Sequence, residues 1–148
     1  MKQMLIGSTL LAFSAMTAGA AGLQLKDLPA AARKTVQETL KGGEIKNISK
    51  EVEKGVTQYE VETMLNGKHR DFNVDAKGKL LVVEEETDLA SIPAPAKDAI
   101  ERKAAGGKIG MVELFIRGGE TLYEAAFTSK GGKKHEVLVK ADGTETRE

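Results

Sequence analysis

The chain has 148 residues, with 22 basic and 22 acidic side chains, two histidines and neither cysteine nor tryptophan. Such a neutral balance argues against nucleic acid as the main partner, since phosphate binding needs a basic surface. The absence of cysteine excludes a disulfide framework, a thiolate nucleophile and a cysteine-based zinc site.

The first residues have the three parts of a secretory signal peptide. Lys2 supplies the basic start, Met4 to Met16 an apolar stretch, and Ala18-Gly19-Ala20 a small-residue cleavage site. The stretch is short for a membrane span of about 20 residues, and Gly7, Ser8 and Thr9 interrupt it. Cleavage is expected to leave Ala21 as the first mature residue, in a bacterial periplasm or the cell exterior.

The remainder of the chain is written twice. LPAAARKTVQETLKGGEI from Leu28 returns as IPAPAKDAIERKAAGGKI from Ile92, a shift of 64 positions. Pro29 meets Pro93, Gly42-Gly43 meets Gly106-Gly107, and Tyr59-Glu60 meets Tyr123-Glu124. Two copies at this period indicate a duplicated small domain rather than a solenoid. The predicted organisation is a signal peptide over 1–20, repeat one over 21–86 and repeat two over 87–148. Domains this small bury too little surface to be comfortable alone, so the halves are expected to lean on each other.

Each repeat opens with a helix. Asp27 and Ser91 are the expected N-caps, with proline inside the first turn. Leu28, Ala32, Val36 and Leu40 form an apolar stripe that Ile92, Ala96, Ile100 and Ala104 repeat, and the paired glycines end both helices. The period then changes to two. Turns at Lys54-Gly55, Asn66-Gly67 and Lys77-Gly78 set Val52 opposite Thr57, Ile48 opposite Val61, Val61 opposite Phe72, Tyr59 opposite Val74, and Val74 opposite Leu81. One face then carries Ile48, Val52, Tyr59, Val61, Phe72, Val74, Leu81 and Val83. In repeat two, Gly118-Gly119 sets Leu114 opposite Tyr123 and Val112 opposite Ala125. The three-residue turn Lys130-Gly131-Gly132 keeps Ala125 opposite Val137. The last strand is expected to be short and polar. The fold class is therefore α+β: two tandem repeats, each one helix followed by a four-stranded antiparallel meander.

A helix ending in Gly-Gly, a Tyr-Glu strand and the run Val74-Asp75-Ala76-Lys77-Gly78-Lys79-Leu80 resemble the PepSY domain. The second copy, Val139-Lys140-Ala141-Asp142-Gly143-Thr144, shifts its aspartate and loses the apolar pair. The tandem arrangement is similar to the PepSY-like proteins grouped with the β-lactamase-inhibitor fold. That resemblance implies an exported, non-catalytic binding or inhibitory module acting on an envelope protein or peptidase. The inhibitor it resembles has disulfides and an aromatic-rich concave face, which this chain lacks, so inhibition of β-lactamase itself is not expected.

No catalytic motif, metal site or cofactor is predicted. His69 and His135 stand in no HExxH or triad context and are read as surface or edge histidines. Asp75 and Asp142 begin no EF-hand pattern and are read as turn residues. Glu84-Glu85-Glu86 with Asp88 is read as a solvated linker at the junction of the repeats, and Lys130, Lys133 and Lys134 as a solvated hairpin tip.

The sheet face without a helix separates the copies. Repeat one pairs Glu51 with Gln58, Ser49 with Glu60 and Asn47 with Glu62 there. Repeat two pairs Phe115 with Leu122, Glu113 with Glu124, and Met111 with Ala126, with Leu138 alongside. An apolar stripe on an open face marks an interface, and directly opposed carboxylates need a cation to answer them. Either this face packs on the other repeat or is neutralised by nearby Lys134 or Lys140, or Met111, Phe115, Leu122, Leu138, Glu113 and Glu124 dock an envelope protein or peptide. A second function class is a periplasmic cation or small-ligand sensor using the same acidic residues.

Overall fold

A computed structural model describes residues 22–147; the expected signal peptide and its cleavage site lie outside the described residues. The elements are α1 (Ala30–Thr39), β1 (Glu44–Glu53), β2 (Val56–Leu65), β3 (Lys68–Asp75), β4 (Leu80–Thr87), α2 (Ala94–Ala104), β5 (Lys108–Arg117), β6 (Glu120–Thr128), β7 (Lys134–Val139) and β8 (Glu145–Thr146). The strands form one antiparallel sheet in sequence order, β1 to β8. The architecture is α+β, with two helices and eight strands. The repeats meet edge to edge through β4 and β5, where Val83 faces Ile116 and Glu85 faces Leu114.

Both helices lie on the same face of that sheet. Ala32 and Val36 of α1 pack with Ile48, Val61, Phe72 and Val74. Ala96 and Ile100 of α2 pack with Val112, Ala125, Val137 and Val139. Phe72, Ile48, Val36 and Ile100 are among the largest fully buried side chains, each contributing about 1.5–3 kcal/mol by its removal from water.

The turns place this register as local chemistry dictates. Lys54-Gly55 and Asn66-Gly67 both carry positive φ at their two central residues, the type I′ hairpin geometry. Ile48 faces Val61, Val61 faces Phe72 and Tyr59 faces Val74. Beyond the Gly118-Gly119 and Lys130-Gly131-Gly132 turns, Val112 faces Ala125 and Ala125 faces Val137. β8 is two residues long.

Four expectations need correction. Neither Asp27 nor Ser91 caps an α-helix. Each ends a short 3₁₀ turn, and the helices begin after Pro29 and Pro93, whose backbones are extended. Asp27 instead accepts the Gln24 N–H at 2.8 Å. Val52 is not a core residue; it is 68% exposed, because the β1–β2 hairpin tip carries it away from the packed residues. Val74 faces Leu80 rather than Leu81. The turn holds three residues rather than two, closed by Gly78 N–H to Asp75 O and Asp75 N–H to Lys79 O at 3.0 Å each, and Asp75 Oδ1 braces it by accepting the N–H groups of Lys77 and Lys79, each at 2.9 Å. A bulge near Leu81 then restores Phe72 to Val83. Finally, Glu84, Glu85 and Glu86 are not a linker but lie within β4, paired with Phe115, Leu114 and Glu113.

The same three-residue turn recurs between β7 and β8, closed by Gly143 N–H to Lys140 O at 2.9 Å and Lys140 N–H to Thr144 O at 2.9 Å. Gly78 and Gly143 both have φ near +85°. A Cβ on Gly78 would lie 2.7 Å from the Ala31 carbonyl oxygen, and one on Gly143 2.6 Å from that of Pro95. Each repeat thus locks its last turn onto the first turn of its helix, and only glycine permits that approach.

Candidate binding face

The face opposite the helices is built by alternate residues of every strand, and pairing aligns them in rows. One row runs from Met64 through His69 to Glu86, Glu113, Glu124 and Leu138, crossing β2 to β7. His69 joins it through its backbone N–H, which donates to Glu86 Oε2 at 3.0 Å. In the neighbouring row Asn47 faces Glu62, Asp71 faces Glu84, and Glu84 faces Phe115. The junction strand therefore joins the acidic residues of the two repeats into a single belt.

Burial and like charge both tax these carboxylates. Burial is the main cause that pushes Glu113 above the usual carboxylate range; Asp71, Glu86 and Glu136 add to it, and His69 opposes. Asp71 is raised mainly by burial, although the Thr63 N–H donates to its Oδ1 at 2.8 Å and pulls the other way. Glu60 is raised by burial and by Glu51, against a hydrogen bond from Ser49 Oγ at 3.2 Å. The Asn47 amide donates to Glu62 at 3.0 Å. Lys140, expected near the opposed glutamates, lies 3.7 Å from Glu120 instead.

Of the residues singled out in the sequence, Glu113 and Glu124 are directly opposed. Phe115, Leu122 and Leu138 gather into one cluster with Val82 and are only 2%, 5% and 7% exposed. The Arg117 guanidinium sits 5.3 Å from the Phe115 ring centroid. Met111 is half-buried in a bulged stretch of β5, between the Ile109–Phe127 and Val112–Ala125 pairs, rather than in a regular pair with Ala126. This small apolar core contains no helix residue but takes in Val82 of repeat one, so the open face of repeat two packs sideways on the other repeat's last strand, as one reading expected. Asp71, Glu84 and Glu86 were missed as companions of Glu113. Their alternation with Phe72, Val83 and Glu85 was the available signal, but only the β4–β5 pairing makes it one surface. Among the described residues, no group of three histidine or carboxylate side chains is arranged to hold a metal ion, and no helix is long and apolar enough to cross a membrane.

Comparison with known proteins shows a family likeness over part of the chain and a shared fold over most of it. Solved structures resembling this one include a Bacteroides eggerthii protein described as a candidate periplasmic protein (TM-score 0.66, 13% identity, covering 81% of this chain and 86% of that one). A DUF2874 family protein from Bacteroides ovatus gives TM-score 0.63 at 10% identity, covering 81% and 85%. A BLIP-like protein from Bacteroides fragilis gives TM-score 0.58 at 18% identity, covering 88% and 87%. No curated protein matches the chain. Residues 29–78 match the PepSY family, described as the peptidase propeptide and YPEB domain. The chain thus carries a PepSY-like first repeat within a fold that is BLIP-like over most of its length.

Proposed function

We propose that this protein is an exported, non-catalytic binding module that docks a basic envelope protein or peptide on the open face of its sheet. One observation carries this reading: half-buried carboxylates are aligned across both repeats on a face that neither helix covers. Holding them there costs stability through desolvation and mutual repulsion, and a cationic partner relieves both. The contact belongs to Glu113, Glu124 and Met111, extended by Glu86, Asp71 and Glu84, while Phe115, Leu122 and Leu138 stiffen the surface beneath. The PepSY match and the periplasmic description of a structural relative support export and protein binding. A cation sensor would draw on the same acids, but the metal-compatible grouping it needs is not found among the described residues.

The test compares the mature chain with a Glu86→Gln, Glu113→Gln variant for partners captured from its own envelope fraction. A specific basic partner should be retained by the wild type, lost by the variant and released by moderate salt, since exposed ion pairs are screened over about 10 Å at 0.1 M. An identical captured set for both proteins would overturn the assignment. A rise in melting temperature with a divalent cation alone would favour the sensor.

A further inference from the structure

The duplication exposes a second site, on the helix side of the sheet and independent of the acidic face. In repeat one, Arg70 is 6% exposed and fills the space beneath the C-terminal end of α1. Its Nη1 donates to the Thr39 carbonyl at 2.6 Å, its Nε to Glu85 Oε1 at 2.9 Å, and its guanidinium lies 5.8 Å from the Phe72 ring centroid. Thr63 closes the same spot by donating its hydroxyl to the Arg70 carbonyl.

Counting through the insertion, Thr63 and Arg70 correspond to Phe127 and His135, which face each other across β6 and β7. Their rings stack with centroids 5.2 Å apart. The shorter histidine leaves open what arginine fills. A groove of about 410 Å³ remains there, lined by Lys103, Ala104, Ala105, Phe127, Lys130 and His135. The helix end above it also matches. Gly43 N–H closes α1 on Leu40 O, and Gly107 N–H closes α2 on Ala104 O. Thr39 O, which Arg70 takes, therefore corresponds to Lys103 O. The hydrogen bonds from Ala105 to Glu101 and Arg102, and from Gly107 to Ala104, pass over it.

We propose that this groove binds the guanidinium group of an arginine side chain presented by a peptide or protein. The bound group would repeat one contact of Arg70, donating to the Lys103 carbonyl at the negative end of α2, and would stack on the His135 imidazole, as guanidinium does on aromatic faces, where Arg70 lies beside Phe72. The lysines at the rim leave room for it. Lys103 is held by both carboxylate oxygens of Glu145 at 2.9 Å. Lys130 is exposed on the hairpin tip, with its side chain beside Gly106, and is free to swing aside.

The experiment titrates the mature protein with N-acetyl-arginine amide and follows the His135 and Phe127 ring resonances by NMR. Saturable shifts of both in the millimolar range are expected, with none from the isosteric but uncharged citrulline amide. His135→Arg would supply the guanidinium internally, raise the melting temperature and weaken the response about tenfold or more. Lys130→Ala should strengthen it. Unmoved wild-type resonances, equal shifts with citrulline, or preference for a glutamate-bearing amide would overturn the proposal. The wild-type titration decides even if a variant fails to fold.

Discussion

Beneath α1 the chain closes a cleft with its own arginine; beneath α2 the same cleft carries a histidine and stands open. Around this difference the copies agree closely. Both bulge at the same point of their first strand, near Lys46 and near Gly110, and both lock a glycine turn onto the helix start. Positions that set helix ends, strand register and turn closure are thus held in common. The copies diverge where a side chain either completes the core or leaves a surface to something else.

That contrast is broken most sharply at the cleft itself. Arg70→Ala leaves the Thr39 carbonyl and Glu85 without their shared donor in a largely closed site, so a loss of about 2–4 kcal/mol is expected in urea unfolding. His135→Ala removes one exposed ring from a stacked pair and should cost about 1 kcal/mol or less. Equal losses would mean that the two residues play equivalent structural parts, and the difference between the copies would lose its meaning.

A second pair sharpens the comparison at the hairpin tips. Val52 and Ile116 are equivalent, yet Val52 is exposed on the edge hairpin, whereas Ile116 faces Val83 and packs against the core of repeat one. Ile116→Ala should cost about 1–2 kcal/mol, and Val52→Ala should stay within about 0.5 kcal/mol. The distinction arises from position in the sheet, since β1 is an edge strand and β5 is central.

Legibility in the sequence divides in the same way, between local and distant causes. Lys54-Gly55, Asn66-Gly67 and the glycine-rich 130–132 turn carry their geometry in their own residues, so the pairings of Ile48, Val61, Tyr59 and Ala125 could be read directly. Leu81 was misplaced because its turn holds three residues, Ala76 to Gly78, where Lys77-Gly78 alone reads as a two-residue turn. The helix starts were misplaced because proline in an extended conformation stands before the first turn instead of within it. Val52 and the run Glu84 to Glu86 were misread for a third reason. Whether a strand is an edge or a junction depends on which strands of the two repeats meet, and no turn residue encodes that. The candidate face was half legible: Glu113 opposite Glu124 came from hairpin register, and their extension to Glu86 and Asp71 required the β4–β5 seam.

That seam predicts the subtlest effect, a pH dependence shared between the repeats. Glu60, Asp71 and Glu113 are all raised above their ordinary range, chiefly by burial. The folded state therefore holds these protons more tightly than the unfolded chain, and stability falls as pH rises through the raised values. Their contribution is most favourable below the ordinary carboxylate value of about 4 and is lost towards neutral pH. The melting temperature, followed by circular dichroism, should accordingly decline over that interval, and Glu113→Gln should flatten part of the slope. Asp71 belongs to repeat one and Glu113 to repeat two, and each carboxylate raises the cost of charging its neighbour. Asp71→Asn combined with Glu113→Gln should then gain less than the sum of the two single variants, since each already relieves the repulsion they share. Strict additivity would mean that the acids of the two repeats do not sense each other, and the belt would divide into two separate patches.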